Sequence, residues 1–161
     1  MSIDITMVDE NSSDDCTLVV QEMLNVSPSK AIAIFRLQHA LQALATDAST
    51  QITLYPAFVC VADELALTFD HWYRTVFDLM DSTLTINQQA HLQAIDQALA
   101  AMTHSNDQSL WTDQGLQYRD EWNHIRRLSQ QSLASFGWPY ESPPSYAHEY
   151  IPSHEPNGEK L

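Results

Sequence analysis

The chain has 161 residues, enough for one domain with a substantial core, and carries 21 Asp and Glu against 7 Lys and Arg. Its formal net charge of −14 repels phosphate backbones and anionic lipid headgroups, so we expect neither nucleic acid nor a membrane surface as a partner. The longest mostly apolar stretch, residues 55–62, is far shorter than the ~20 residues that span a bilayer. The same charge favours rapid association with a basic protein.

The cysteines and the first residues of the chain indicate the compartment. Cys16 and Cys60 are isolated and form no CxxC pair, so we expect two reduced thiols. The alternative is one disulfide between them. The acidic first 15 residues contain no apolar signal core. The sequence therefore predicts a cytoplasmic protein.

Apolar residues recur at helical spacing, and the chain contains only three glycines. This pattern predicts an all-α fold, a single helical bundle of four to five helices over residues 14–137. Residues 1–13 are predicted to be a flexible acidic arm. Residues 138–161, rich in Pro and Tyr, are predicted to form an extended tail, either solvated or draped over the bundle.

Two helices are predicted in the first third of the chain. One spans about residues 14–26. The next has Ser27 as its cap and Pro28 as its first residue, and it continues to about residue 48. Its expected apolar face consists of Ile32, Phe35, Leu37, Leu41 and Leu44.

The third predicted helix is entered at Pro56 and is expected to be the central core helix. Its apolar residues step by three or four positions without a break. They are Phe58, Ala62, Leu65, Phe69, Trp72, Val76 and Met80. The opposite side is polar, and there Asp70 and Arg74 are spaced for an i,i+4 ion pair.

Two further helices complete the predicted bundle. Thr85 and Gln88 match a capping box, and Leu92, Ile95, Leu99 and Met102 form the buried stripe of the fourth helix. A loop is expected at residues 103–109. The fifth helix is predicted from about residue 110 to 136, with Gly137 as its stop and Gly115 as a candidate point of division.

Glu121 and His124 are three residues apart on a helix, the spacing that supplies ligands in carboxylate-bridged metal bundles. No second Glu-x-x-His is present, so a metal site would recruit Glu64, His71 or His91 from other helices. The alternative interpretation is a set of ordinary local pairs on a solvated face.

Other candidate sites also have simpler interpretations. Glu64 and His71 could act in acid–base chemistry, or they could belong to the polar face of a core helix. Pro143-Pro144-Ser145-Tyr146 matches the PPxY pattern read by WW domains, which matters only in a eukaryotic host. Arg119, Arg126 and Arg127 are expected to neutralise acids of neighbouring helices. The sequence has no nucleotide-binding, zinc or nucleophile motif, so neither enzymatic activity nor a cofactor is predicted.

The leading functional hypothesis is a non-catalytic acidic module of the inhibitor, immunity or regulator type that engages a basic protein partner. Thirteen glutamines dilute the acid, which disfavours mimicry of nucleic acid. Expected partner-binding residues are Asp63, Glu64, Asp70, Asp78 and Asp96. The alternative is a bundle that binds a metal or small ligand through Glu121, His124 and His71. A third hypothesis is an adaptor that displays the tail as a peptide, in which case deletion of residues 138–161 would leave the fold intact.

Overall fold

A computed structural model describes residues 28–146 of the chain. Within that range the backbone is helical and forms no strand, which confirms the predicted all-α class. The helices are α1 (Pro28–Ala45), α2 (Ala48–Thr53), α3 (Val61–Met80), α4 (Ile86–His104), α5 (Asp113–Tyr118) and α6 (Asp120–Phe136), with short 3₁₀ turns at Asp81–Thr83 and Gln108–Trp111. The predicted arm, the predicted helix at 14–26, Ser27 and the tail after residue 146 lie outside the described residues.

The four long helices form the bundle, in which α1 and α6 each pack along two of the others. Helix α1 packs along α3 on one side and along α6 on the other, while α4 packs along α6. By contrast, α3 and α4 contact each other over only a short length. The sequence assigned the central position to α3, and the structure corrects this. Every residue from 40 to 46 of α1 and its C-terminal end is buried, which is typical of an internal helix.

The apolar face of α1 differs in part from the prediction. Leu37, Leu41 and Leu44 are buried as expected, but Ile32 and Phe35 are 53% and 56% exposed. The buried side is completed instead by alanines, which allow close packing and carry a weak hydrophobic signal. The helix also ends at Ala45 rather than near residue 48, because the Asp47 carboxylate accepts a hydrogen bond from the Thr50 backbone N–H and starts α2.

Helices α3 and α4 follow the sequence pattern closely. Leu65, Phe69 and Val76 are buried along α3. Phe58 is 71% exposed, because it lies in the turn before Val61 and not in the helix. The predicted capping box at the start of α4 is confirmed in both halves, and all four residues of its predicted stripe are buried.

The fifth predicted helix is divided into three elements. After the 3₁₀ turn, the Thr112 hydroxyl accepts from the Gly115 N–H and starts α5. The break before α6 falls at Arg119, whose backbone is extended, and not at Gly115. Gly115 has a different role, since a Cβ there would collide with the carbonyl oxygen of Ser109. The helix ends as predicted at Gly137, which is left-handed with φ of 71°.

Residues 138–146 form a strap that crosses the outer side of α1. The strap begins at Trp138, whose ring stacks on Phe136 with centroids 4.1 Å apart. The Gln42 side chain donates to the carbonyl oxygen of Pro139 at 3.0 Å. At the last described residue, the ring of Tyr146 stacks on that of Tyr55, with centroids 4.9 Å apart. This part of the predicted tail is therefore draped over the bundle.

Candidate protein-binding surface

The outward side of α3 carries a continuous row of residues that we call the α3 stripe. It consists of Asp63, Leu67, Asp70, Arg74 and Asp78. Successive members are three or four positions apart, so they follow one side of the helix, opposite the buried residues. Asp63, Arg74 and Asp78 are exposed, and Leu67 is 60% exposed. The stripe combines three carboxylates with an apolar contact point.

Arg74 joins the α3 stripe to the neighbouring helix α4. Its Nε donates to Asp70 Oδ1 at 2.8 Å, which confirms the predicted i,i+4 pair. Its Nη2 lies 3.7 Å from Asp96 Oδ1. Because the arginine side chain is 62% exposed, these pairs add little to stability. They do reduce the charge that Asp70 and Asp96 present to a partner.

A cavity of about 560 Å³ adjoins the stripe where α3, the end of α4 and the second 3₁₀ turn meet. Its lining residues are Asp63, Ala66, Leu67, Thr103, Asn106, Gln108 and Trp111. Leu67 and Trp111 give it an apolar part, while Asp63 adds a carboxylate at the point where the cavity meets the stripe. Partly exposed tryptophan and leucine side chains next to charged groups are typical of protein-binding surfaces.

The position of Trp111 is fixed by contacts from the interior. Its ring meets Trp122 edge-on, with centroids 5.7 Å apart. Trp122 is fully buried, and its indole N–H donates to the Leu110 carbonyl oxygen at 2.7 Å. The carbonyl oxygen of Trp111 accepts from the Cys60 Sγ at 3.2 Å. Trp111 is therefore a pre-positioned aromatic group at the cavity.

Arg119 connects the loop that contains Asp107 to the start of α6 by hydrogen bonds. It donates to Asp107 Oδ2 at 3.0 Å and to Glu121 Oε2 at 3.2 Å. Hydrogen bonds from the side chain of Ser109 and then from Arg119 hold the pKa of Asp107 below its ordinary value. The same contact with Asp107 raises the pKa of Arg119. Arg119 therefore neutralises one acid of the loop and one of α6 itself, and neither acid lies on a neighbouring α-helix.

Arg126 makes no direct ion pair within the described residues. It is buried and donates to the side-chain oxygen of Gln51, to the carbonyl oxygen of Leu116 and to Asn123. No carboxylate of the described residues lies within ion-pair distance of it, so neutral acceptors satisfy its hydrogen bonds, and it acts on Asp47 at the start of α2 only through a longer-range charge interaction. Burial lowers its pKa. Arg127 is exposed.

The five predicted partner-binding residues fall into three groups. Asp63 and Asp78 are exposed at the two ends of the stripe. Asp70 and Asp96 are present at the surface but share Arg74. Glu64 is half-buried and lies beside the stripe. Leu67 and Trp111 were not among the residues predicted to bind a partner. Leu67 could have been identified from the sequence, because it is an apolar residue on the otherwise polar side of α3, four positions after Asp63.

The residues of the metal hypothesis are not brought to one place. Glu121 and His124 line a cavity of about 390 Å³ between α4 and α6, and Glu121 is engaged by Arg119. His71 lines a different depression on α3, with its ring edge-on to Trp72. Across residues 28–146, no three His, Cys, Asp or Glu side chains are grouped so that they could hold a metal ion.

The PPxY segment is part of the strap. Pro143 and Tyr146 are both buried, and the Tyr146 backbone N–H donates to the Leu54 carbonyl oxygen at 2.8 Å. A WW domain reads the Pro and Tyr side chains of such a segment. Recognition of this one would therefore require the strap to leave the bundle.

Comparison with protein-family models, with curated proteins and with solved structures finds no significant match to this chain. Among the helices of residues 28–146, none is both long enough and apolar enough to cross a membrane.

Proposed function

We propose that this chain is a non-catalytic acidic protein-binding module that engages a basic partner through the α3 stripe and the adjoining cavity. Its role would be that of a cytoplasmic inhibitor, immunity or regulator protein. The observation that carries the proposal is the combination of exposed Asp63 and Asp78 with exposed Leu67 beside the Trp111 cavity. Charge alone would attract many partners, and the apolar contact supplies selectivity.

The charge balance of the chain supports a basic partner. Residues 28–146 contain 12 Asp and Glu against 6 Lys and Arg. Among those six, Arg74, Arg119 and Arg126 are engaged by groups of the protein itself. The field around the bundle is therefore negative, which accelerates the approach of a positively charged surface and weakens with added salt.

The proposal is tested by capture of partners on the immobilised full-length protein. The double variant Asp63→Asn/Asp78→Asn removes the two carboxylates of the stripe that Arg74 does not engage, and we expect it to lose the basic partner held at low salt. Asp120→Asn/Glu141→Gln is the charge-matched control, because both residues are exposed and lie on other elements. Equal retention by the two double variants, or a partner held unchanged at high salt, would contradict the proposal.

Arg74 provides a test in the opposite direction. Arg74→Gln removes the positive charge shared by Asp70 and Asp96 and leaves both carboxylates available. We expect tighter binding of the same partner with a steeper dependence on salt. The free energy of unfolding should change by less than about 1 kcal/mol, because these are exposed ion pairs.

A further inference from the structure

Helices α3 and α4 pack less closely against each other than the other neighbouring long helices do. The other neighbouring long helices pack along their lengths, while α3 and α4 contact each other over only a short length. Arg74 and Asp96 span the space between them with a single contact of 3.7 Å. The cavity at Trp111 lies at one end of this groove. We call the space between the two helices, from this cavity to the Arg74–Asp96 contact, the α3–α4 groove.

The groove combines apolar contacts with charge along its length. Leu67 is 60% exposed near the cavity, and Phe77 is 41% exposed towards the other end of α3. The carboxylates of Asp63 and Asp78 mark the two ends of the stripe. At 1.5 Å per residue, these two positions are about 22 Å apart along the helix axis. That length corresponds to about four turns of an α-helix laid alongside.

These features suit one kind of occupant. A groove between helices accepts an amphipathic helix, whose apolar side chains at i, i+3, i+4 and i+7 enter it. The acids along the groove select Lys and Arg on the flanks of that helix. A second copy of this chain would place acid against acid, and a nucleic acid would be repelled for the same reason.

We infer that the partner presents a basic amphipathic α-helix, which lies in the α3–α4 groove and inserts an apolar side chain beside Leu67 and Trp111. This inference rests on the proposed function and specifies the segment that the partner contributes. Lys or Arg residues on the bound helix pair with Asp63, which lines the cavity at one end of the groove. Asp70 and Asp96 exchange Arg74 for a basic side chain of the partner.

The test uses two labelled synthetic peptides of the same Lys and Leu composition and the full-length protein. One peptide has Leu at helical spacing and the other has the same residues without that periodicity. We expect the amphipathic peptide to bind about tenfold more tightly, as the burial of one or two leucines predicts. Leu67→Ser should remove most of that advantage. Ile32→Ser on α1, where the side chain is 53% exposed, is the matched control and should have no effect.

The outcomes separate this inference from the proposed function. If both peptides bind equally, or if Leu67→Ser has no effect, the helix-in-groove inference is wrong and general binding of a basic partner stands. If neither peptide binds at low salt, both are wrong. Preferential binding of the amphipathic peptide that depends on Leu67 and not on Ile32 supports both.

Discussion

The guanidinium of Arg126 donates to the side-chain oxygen of Gln51 at 2.9 Å in the interior of the bundle. Gln51 in turn donates through its side-chain nitrogen to the carbonyl oxygens of Ala43 and Leu44. One glutamine therefore connects the end of α1 to α6 and accepts the hydrogen bond of a buried cation. Such a cation is costly to leave without acceptors.

We expect Gln51→Leu to lower the free energy of unfolding by about 2–4 kcal/mol, because it removes an acceptor of a buried charge and leaves two carbonyl groups unpaired. Gln42→Leu is the control, since Gln42 is also buried but bonds the neutral Pro139 carbonyl, and should cost about 1 kcal/mol. Urea denaturation measures both. A Gln51 variant as stable as the Gln42 variant would contradict the assigned role.

Gly115→Ala should destabilise the protein by about 2–4 kcal/mol, although alanine is normally the better helix former by about 1 kcal/mol. The new methyl group would collide with the backbone of Ser109 and Leu110, which cannot move without disturbing the 3₁₀ turn. A Cβ at Gly137 would meet open space, so Gly137→Ala should lower the free energy of unfolding by only about 1 kcal/mol, the cost of placing alanine in a left-handed backbone conformation. Thermal unfolding of the two variants tests the order, and a stabilised Gly115 variant would refute the packing.

The strap makes a prediction that differs from the adaptor hypothesis. Tyr146→Ala should lower the free energy of unfolding by about 2–4 kcal/mol, because it leaves a cavity where a buried ring stacks on Tyr55. Tyr140→Ala should cost less than about 1 kcal/mol, since that ring is 60% exposed. Truncation after Gly137 should destabilise at least as much as Tyr146→Ala. An unchanged melting temperature after that truncation would show that the strap is dispensable and would restore the displayed-peptide hypothesis.

The dependence of stability on pH follows from Asp47 and Asp107. The backbone N–H of Thr50 lowers the pKa of Asp47 below its ordinary value of 3.8, and hydrogen bonds from Ser109 and Arg119 do the same for Asp107. A carboxyl group with a lower pKa in the folded state stabilises the fold above its unfolded pKa. That contribution is lost as the pH falls through the folded pKa.

We therefore expect the melting temperature to fall as the pH is lowered below about 4. Asp47→Asn keeps a capping oxygen for α2 but removes the titration, so its melting temperature should fall less steeply over the same range. Thermal scans at a series of acidic pH values measure this slope. Identical slopes for the variant and the unmodified protein would exclude Asp47 as a contributor.

Local signals in the sequence identified much of the fold. The capping box at Thr85 and Gln88 and the left-handed stop at Gly137 both depend on residues close in sequence, and both are confirmed. The errors arose where distant segments decide the outcome. Ile32 and Phe35 share the apolar character of α1 but not its buried side. The break at Arg119 depends on packing between the 3₁₀ turn and α5.

The candidate surface was predictable only in part. The acids of α3 were visible as the polar side of a helix, but their distribution between free carboxylates and the Arg74 pairs depends on where α4 lies. Trp111 gave no local signal, because its exposure is set by contact with Trp122 and by the end of α4. The separation of His71 from Glu121 and His124 likewise follows from the arrangement of whole helices.

The central claim is that the groove beside Leu67 and Trp111 is the binding surface. Its most direct test is an NMR titration of the isotope-labelled full-length protein with the basic amphipathic peptide. We predict that the Trp111 indole N–H and the Leu67 amide shift together and saturably. The indole N–H of Trp138, on the strap, should stay unchanged. Shifts at Trp138 and along α1, with Trp111 and Leu67 unaffected, would contradict the claim.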